Sequence, residues 1–216
     1  MLPIARFLLS TKRMPRNPSF PPTTDALYQI AVRSLARRAR STAEVRTLLL
    51  RRKGTQADVE VAIQRLRDHG YLDDAHFASS FVASRIANDL HGRVRVRRDL
   101  AARRVHPAVA EEAVGRAFDA LDEAKLLRQH LRRKVRFTKP LDKPSSVQAL
   151  YRRLLRAGFR SDTIVGELKR LLRASSKRGT DDAKRQQDGG LLRWDELLDS
   201  LVDFEESEAS NSDVSA

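Results

Sequence analysis

His69-Gly70-Tyr71-Leu72-Asp73-Asp74-Ala75-His76-Phe77 ends one helical unit and begins the next. A glycine suits the position just past a helix, where a positive φ costs it nothing. Tyr71 and Leu72 give an apolar lead-in, and Asp73 or Asp74 can accept from the free N–H groups of the helix that follows. Beyond it Phe77, Phe81, Val82 and Ile86 recur at helical spacing, which predicts a helix from Ala75 to about Asn88.

On the N-terminal side, Thr24 begins a helix with Leu27, Ile30, Ala31 and Leu35 on one face. Ser41-Thr42-Ala43-Glu44 reads as a capping box, opening a second helix through Val45, Leu48 and Leu49 that stops at Gly54. Thr55 to Asp58 repeats that logic and opens a third helix through Val59, Ile63 and Leu66, closed by Gly70. The same unit returns on the C-terminal side. Gly92 stands where Ser41 stood, Val96 and Leu100 keep the offsets of Val45 and Leu49, Val105 takes the place of Gly54, and His106-Pro107 opens the third helix. A third copy starts near Leu121 with Leu127, Leu131 and Val135. It crosses a longer connection from Phe137 to Ser146 that holds Pro140 and Pro144. Ser146 is expected to open the next helix, through Val147, Leu150, Tyr151 and Leu154; Gly158-Phe159 breaks it, and Ser161 or Asp162 caps a last helix through Ile164, Leu168, Leu171 and Leu172.

Ser41, Gly92 and Ser146 lie 51 and 54 residues apart, and Gly54, Val105 and Gly158 lie 51 and 53 apart. A period near 50 is the mark of a helical repeat array. The expected fold is all-α: three tandem three-helix repeats, at 24–72, 73–120 and 121–173, forming an elongated, curved array. Residues 1–23 read as a flexible Pro-rich basic arm and 174–190 as a linker. Residues 191–216 read as an acidic tail with a short amphipathic helix, whose apolar face is Trp194, Leu197, Leu198, Leu201 and Phe204.

The chain of 216 residues has 42 Lys and Arg against 28 Asp and Glu, a net charge of +14. Residues 195–216 hold eight acids and no Lys or Arg, which leaves residues 1–194 at +22. Such a balance favours a polyanionic partner or an acidic protein surface. The tail could fold back on the basic body and tune its binding, or serve solubility alone, and the sequence leaves both open. With no cysteine, disulfides and thiolate metal sites are excluded, and a reducing cytoplasm is the expected compartment. The apolar start Met1 to Leu9 is short and interrupted by Arg6, unlike a secretory leader. No run approaches the ~20 apolar residues that span a bilayer, so no membrane association is expected.

His69, Asp73, Asp74 and His76 resemble a metal cluster, but helix capping accounts for both carboxylates, and no further ligands stand at suitable spacing. His91, His106 and His130 are scattered without a triad partner, and no glycine-rich phosphate loop is present. The expectation is a non-enzyme without a cofactor. The arginines are the stronger signal. Arg93, Arg95, Arg97 and Arg98 crowd one helix start, with Arg103 and Arg104 beyond; Arg128, Arg132, Arg133, Lys134 and Arg136 follow one helix, and Arg152, Arg153, Arg156 and Arg160 another. Arginines usually form a solvated face paired with acids. A body at +22 has too few acids for that, and guanidinium forks suit phosphates or carboxylates. Aromatic interleaving is sparse, which argues against base stacking.

These landmarks resemble those of the RecX family, bacterial regulators of the RecA recombinase. Leu35-Ala36-Arg37-Arg38-Ala39-Arg40-Ser41 with Glu44-Val45 is similar to its opening repeat, and Gly70-Tyr71-Leu72-Asp73-Asp74-Ala75-His76-Phe77-Ala78 with Ser84-Arg85 to its most recognisable motif. Gly92-Arg93-Val94-Arg95-Val96 with Asp99-Leu100 resembles the second repeat, and Leu154-Leu155-Arg156-Ala157-Gly158-Phe159 with Ile164 the third. The chain departs from the pattern at Asp99, at Arg104-Val105, where a glycine-containing turn is usual, and at Ala157. The resemblance covers about residues 24–172. It implies a negative regulator, monomeric and non-enzymatic, that lies in the groove of the RecA–single-stranded-DNA filament and inhibits its ATPase, strand exchange and co-protease activities. Single-stranded DNA, met directly or within the filament, and double-stranded DNA are the nucleic-acid partners this implies. Arg93, Arg95, Arg97, Arg98, Arg132 and Arg133 are the candidate contact residues. The competing expectation is a stand-alone helical DNA- or RNA-binding protein acting through phosphate contacts.

Overall fold

The computed structural model describes residues 22–135 and 143–176, together with Leu198. Most of the basic arm, the connection around Pro140, the linker from 177 onward and the rest of the acidic tail lie outside the described residues. Among the described residues all regular structure is helical: α1 (Thr24–Leu35), α2 (Thr42–Arg51), α3 (Gln56–Asp68), α4 (Asp74–Ser84), α5 (Arg93–Ala102), α6 (Pro107–Asp119), α7 (Glu123–Lys134), α8 (Pro144–Arg156) and α9 (Ser161–Ser176).

The chain divides into two compact units. One is Met1–Arg38 with Val45–Leu72; the other is Ala39–Glu44 with Asp73–Ala216. In the smaller unit α1 packs on α3. Leu27, Ala31, Val45, Leu49, Val59, Ala62 and Leu66 lose all exposure there. Full burial of such a Val or Leu is worth about 1.5–3 kcal/mol, so this short apolar list is what holds the unit. Thr23 caps α1 by accepting from the Ala26 N–H, and Thr55 caps α3 by accepting from the Asp58 N–H. The capping box is reciprocal: Ser41 Oγ accepts from the Glu44 N–H and Glu44 Oε2 from the Ser41 N–H, both at 3.2 Å.

In the larger unit α4 and α5 pack on α6, and α7 and α8 on α9. One apolar cluster runs without interruption from Phe77 through Val96, Leu100, Val114, Leu127, Leu131, Tyr151, Leu154 and Phe159 to Leu168. Asp73, rather than Asp74, caps α4, accepting from the Ala75 and His76 N–H groups. α4 is shorter than the expected helix to Asn88. It ends at Ser84 and continues as a π-helical turn, Arg85–Asp89, before Leu90 turns left-handed at φ 54°. α8 begins at Pro144 with Lys143 as its N-cap, so Ser146 lies inside the helix it was expected to open. Proline at the first helical position lacks only an N–H that would go unused there.

Four helices end in the same way. The second residue past the last turn donates to a leucine carbonyl five residues back: Gly54 to Leu49, Tyr71 to Leu66, Val105 to Leu100 and Phe159 to Leu154. The residue before it donates to the carbonyl three back and sits at positive φ: Lys53 at 64°, Gly70 at 70°, Arg104 at 56° and Gly158 at 90°. This is the Schellman motif, which satisfies the last orphan carbonyls. It also corrects the repeat register, because Gly158 matches Lys53 and Arg104, not Gly54 and Val105. The spacings become 51 and 54. Gly54 is small for another reason: a Cβ there would lie 2.8 Å from Leu27 Cδ1 and 2.9 Å from Val59 Cγ2.

Candidate partner and nucleic-acid interface

The arginine-rich start of α5 has no side-chain cap, because Gly92 has no side chain to offer. Its free donors are met by backbone instead. The Gly92 N–H donates to the Ala157 carbonyl at 2.9 Å and the Val94 N–H to the Gly158 carbonyl at 3.1 Å. The orphan N–H groups of one helix start thus satisfy the orphan carbonyls of the α8 end. The approach is so close that a Cβ on Gly92 would fall 2.2 Å from the Gly158 oxygen, and one on Gly158 would fall 2.3 Å from the Arg95 nitrogen. Burial pushes the Glu123 carboxyl up, although backbone N–H groups at Arg160 and Arg93 favour its charged form. A related contact forms at the Ala39–Glu44 segment: Ser41 Oγ donates to the Arg103 carbonyl at 2.6 Å, and Arg103 pairs with Glu44 at 3.1 Å. Asp74, spared from capping α4, accepts from the Thr42 N–H at 2.8 Å.

Leu90 and His130 tie α7 to the same region. His130 is buried, donates from Nδ1 to the Leu90 carbonyl at 2.9 Å, and meets Phe159 edge-on with centroids 5.3 Å apart. Burial lowers its pKa, and burial likewise lowers that of His91. Asp99 pairs with Arg95 at 3.0 Å and Arg85 at 3.8 Å, and the His91 ring lies 3.7 Å away.

The six candidate arginines separate into two groups. Arg93 pairs with Asp119 at 2.5 Å, Arg95 with Asp99, and Arg97 with Glu111 at 3.6 Å. The premise that the basic body leaves such residues without acids is therefore wrong for these three. Acids brought close by the fold decide pairing, Asp99 one turn along α5 and Glu111 and Asp119 on α6, not the summed charge. Arg98 on α5 and Arg132 and Arg133 at the end of α7 are exposed and have no ion-pair partner among the described residues. Arg152 and Arg156 on α8 share that condition. So do Arg51, Arg52 and Lys53 at the end of α2 in the smaller unit, which sequence reasoning passed over. The signal was three consecutive basic residues at a helix end, where both exposure and the helix dipole favour them.

Three of the four residues that looked like a metal cluster are otherwise engaged. His69 Nδ1 bonds the Tyr28 hydroxyl at 2.8 Å, while Asp73 and Asp74 accept from backbone N–H groups. No group of three potential ligands comes together among the described residues. A cleft of about 490 Å3 in the larger unit has Ile86, Leu90, Leu121 and Leu126 as its apolar wall. Its polar lining is Asp122, Lys125 and Gln129, and Asp122 already caps α7, so the cleft assembles no nucleophile and base.

The family model described as RecX, first three-helix domain, matches residues 28–66, and RecX, second three-helix domain, matches residues 73–114. The regulatory protein RecX of Halorhodospira halophila is 32% identical over 65% of this chain and 85% of its own. The chain belongs to the RecX family. The RecX of Thermobifida fusca is 35% identical over 60% of this chain and 70% of that protein. Against RecX of Chlorobium phaeobacteroides, at 32% identity, the match spans 39% of this chain and only 56% of the relative, little more than half its length. The crystal structure of RecX from Lactobacillus salivarius superimposes with a TM-score of 0.57 at 19% identity, covering 68% of this chain and 96% of that one. At that identity the likeness is one of fold. Among the described residues no helix is long and apolar enough to cross a membrane.

Proposed function

We propose that this chain is a non-enzymatic negative regulator of the RecA recombinase. It binds in the groove of the RecA–single-stranded-DNA filament and lowers the ATPase, strand-exchange and co-protease activities of that filament. The observation that carries the reading is membership in a family of regulatory proteins through both matched three-helix domains. The exposed cations support it. Arg98, on the helix whose start is pinned by backbone contacts, and Arg132 and Arg133 at the end of α7 present guanidinium forks to phosphate or carboxylate. Several such points on one chain make filament binding multivalent.

The test is the single-stranded-DNA-dependent ATPase of the cognate RecA with this protein titrated in. A fall in rate at well below one copy per recombinase subunit is the expected result. An unchanged ATPase alongside tight, steeply salt-dependent binding to nucleic acid alone would replace this reading with that of a stand-alone phosphate-binding protein.

A further inference from the structure

The positive charge of this chain does not lie where its densest arginine run lies. Residues 73–123, which include α5, hold eight Lys and Arg against nine Asp and Glu and carry −1. Residues 124–161 hold twelve against one, Asp142, and carry +11 in a chain whose total is +14. Among the described residues, acids from outside that stretch reach two of its cations. Arg128 pairs with Glu167 at 2.6 Å and Asp122 at 3.5 Å, and Arg160 pairs with Asp162 at 3.1 Å. Arg132, Arg133, Lys134, Arg152, Arg153 and Arg156 are all exposed and form no ion pair among the described residues.

The fold gathers these cations. α7 and α8 both pack on α9, and Arg153 of α8 donates to the carbonyl of Lys134, the last residue of α7, at 2.6 Å. Arg132 and Arg133 share the last turn of α7, and Arg152 and Arg156 flank Arg153 along α8. Both helices bury their apolar residues, Leu127 and Leu131 on one, Leu150, Tyr151 and Leu154 on the other. The large apolar side chains exposed among the described residues are Leu50, Val61, Tyr71 and Val94, none of them on α7 or α8. A protein interface gathers apolar and aromatic anchors at its centre and excludes charge there. This surface does the reverse, as a polyelectrolyte site does. Tyr151 and Phe159 are buried, so neither offers a ring to a base.

We propose that the end of α7 and the outer face of α8 form a binding surface for the sugar–phosphate backbone of nucleic acid. It reads phosphate charge and not base sequence, and it, rather than the arginine-dense start of α5, is where the chain holds a polyanion. Planar guanidinium forks without competing carboxylates are suited to phosphate oxygens. The inference deepens the phosphate-binding part of the function proposed above and rests on it, but needs no recombinase.

The test uses the full chain and a labelled single-stranded oligonucleotide of mixed sequence, titrated over a range of salt. Arg152→Gln with Arg156→Gln should lower affinity about tenfold at low salt and reduce the log–log salt slope by about 1.4, the value for two phosphates on a single strand. Arg153 is left in place to hold the α7 end. Arg104→Gln with Arg116→Gln removes the same charge from residues 73–123 and should leave affinity and slope nearly unchanged. A scrambled oligonucleotide should bind as the first does. Equal losses in the two double variants overturn the location, and a strong preference between the two oligonucleotides overturns the backbone reading. Polyglutamate of matched charge displacing the oligonucleotide as well as unlabelled oligonucleotide does would assign the surface to an acidic protein instead. No binding by the wild-type chain overturns the site together with the phosphate-binding reading, whereas a recombinase ATPase still lowered by that chain would leave the regulatory reading standing.

Discussion

Gly92 is a helix N-cap at which a better capping residue does harm. Serine at such a position ordinarily stabilises a helix by a few tenths of a kcal/mol over glycine, and Ser41 fills the equivalent position one repeat earlier. Here any Cβ would fall on the Gly158 carbonyl. Gly92→Ser is therefore expected to destabilise the protein by about 3 kcal/mol, the scale of severe overpacking, as read by chemical denaturation. A stabilised variant would show that the backbones can part. Gly158→Ala should be at least as damaging, because φ 90° adds its own strain to the clash with Arg95. Lys53 is the converse case, an exposed residue at φ 64° in a position that glycine fills at Gly70 and Gly158. Lys53→Gly should raise stability by about 1 kcal/mol, and a loss would mean that the lysine side chain matters more than its backbone.

At the scale of elements, α7 is held from two sides by polar groups that the apolar pattern does not register. Glu167 of α9 is buried between Arg128 at 2.6 Å and Arg170 at 2.9 Å. Glu167→Ala should cost about 2 kcal/mol, as expected for losing hydrogen bonds between charged groups, and a neutral result would mean both arginines rehydrate freely. On its other side α7 depends on neutral His130 donating to the carbonyl of strained Leu90. Because burial lowers the pKa of His130 and of His91, the unfolded chain takes up protons near pH 6.5 more readily than the folded chain does. Stability should thus fall as pH drops from 7.5 to 5.5. Asp58, Glu60 and Asp89 are held low chiefly by side-chain hydrogen bonds, so their contribution is lost only in more acid solution, below about pH 4. Glu123, pushed up by burial, works against folding as pH rises above its unfolded value near 4.5, an effect opposite in sign to that of the histidines. Denaturation midpoints that stay level between pH 7.5 and 5.5 would refute the histidine account.

For the whole molecule, the net charge is a poor guide to which cations are available. Arg93, Arg95 and Arg97 are engaged with acids of their own unit, whereas Arg98, Arg132 and Arg133 have no such partner among the described residues. Reversing the latter three to glutamate should weaken oligonucleotide binding, reduce the salt slope by about three and leave the denaturation midpoint nearly unchanged. Replacing Arg93 and Arg95 by alanine should do the opposite, lowering stability more than binding. Equal effects of the two sets on binding would mean that the intramolecular pairs open when a partner arrives.

The sequence by itself determined the helices, their order and most of their caps. These depend on side chains within a few residues of one another: Ser41 with Glu44, Thr55 with Asp58, Pro107 after His106, and leucines at helical spacing. The period near 50 was legible for the same reason, as was the family. Only the tertiary structure decided that Gly92 and Gly158 are required by each other, that Asp74 serves Thr42 rather than its own helix, and that three of the six candidate arginines are already paired. Lys53 and Arg104 adopt a left-handed conformation that their side chains do not announce, and the repeat register shifted by one residue because of it. Those outcomes turn on groups far apart in the chain meeting within a few ångströms. No local pattern of residues encodes such a meeting; packing of the helices brings it about.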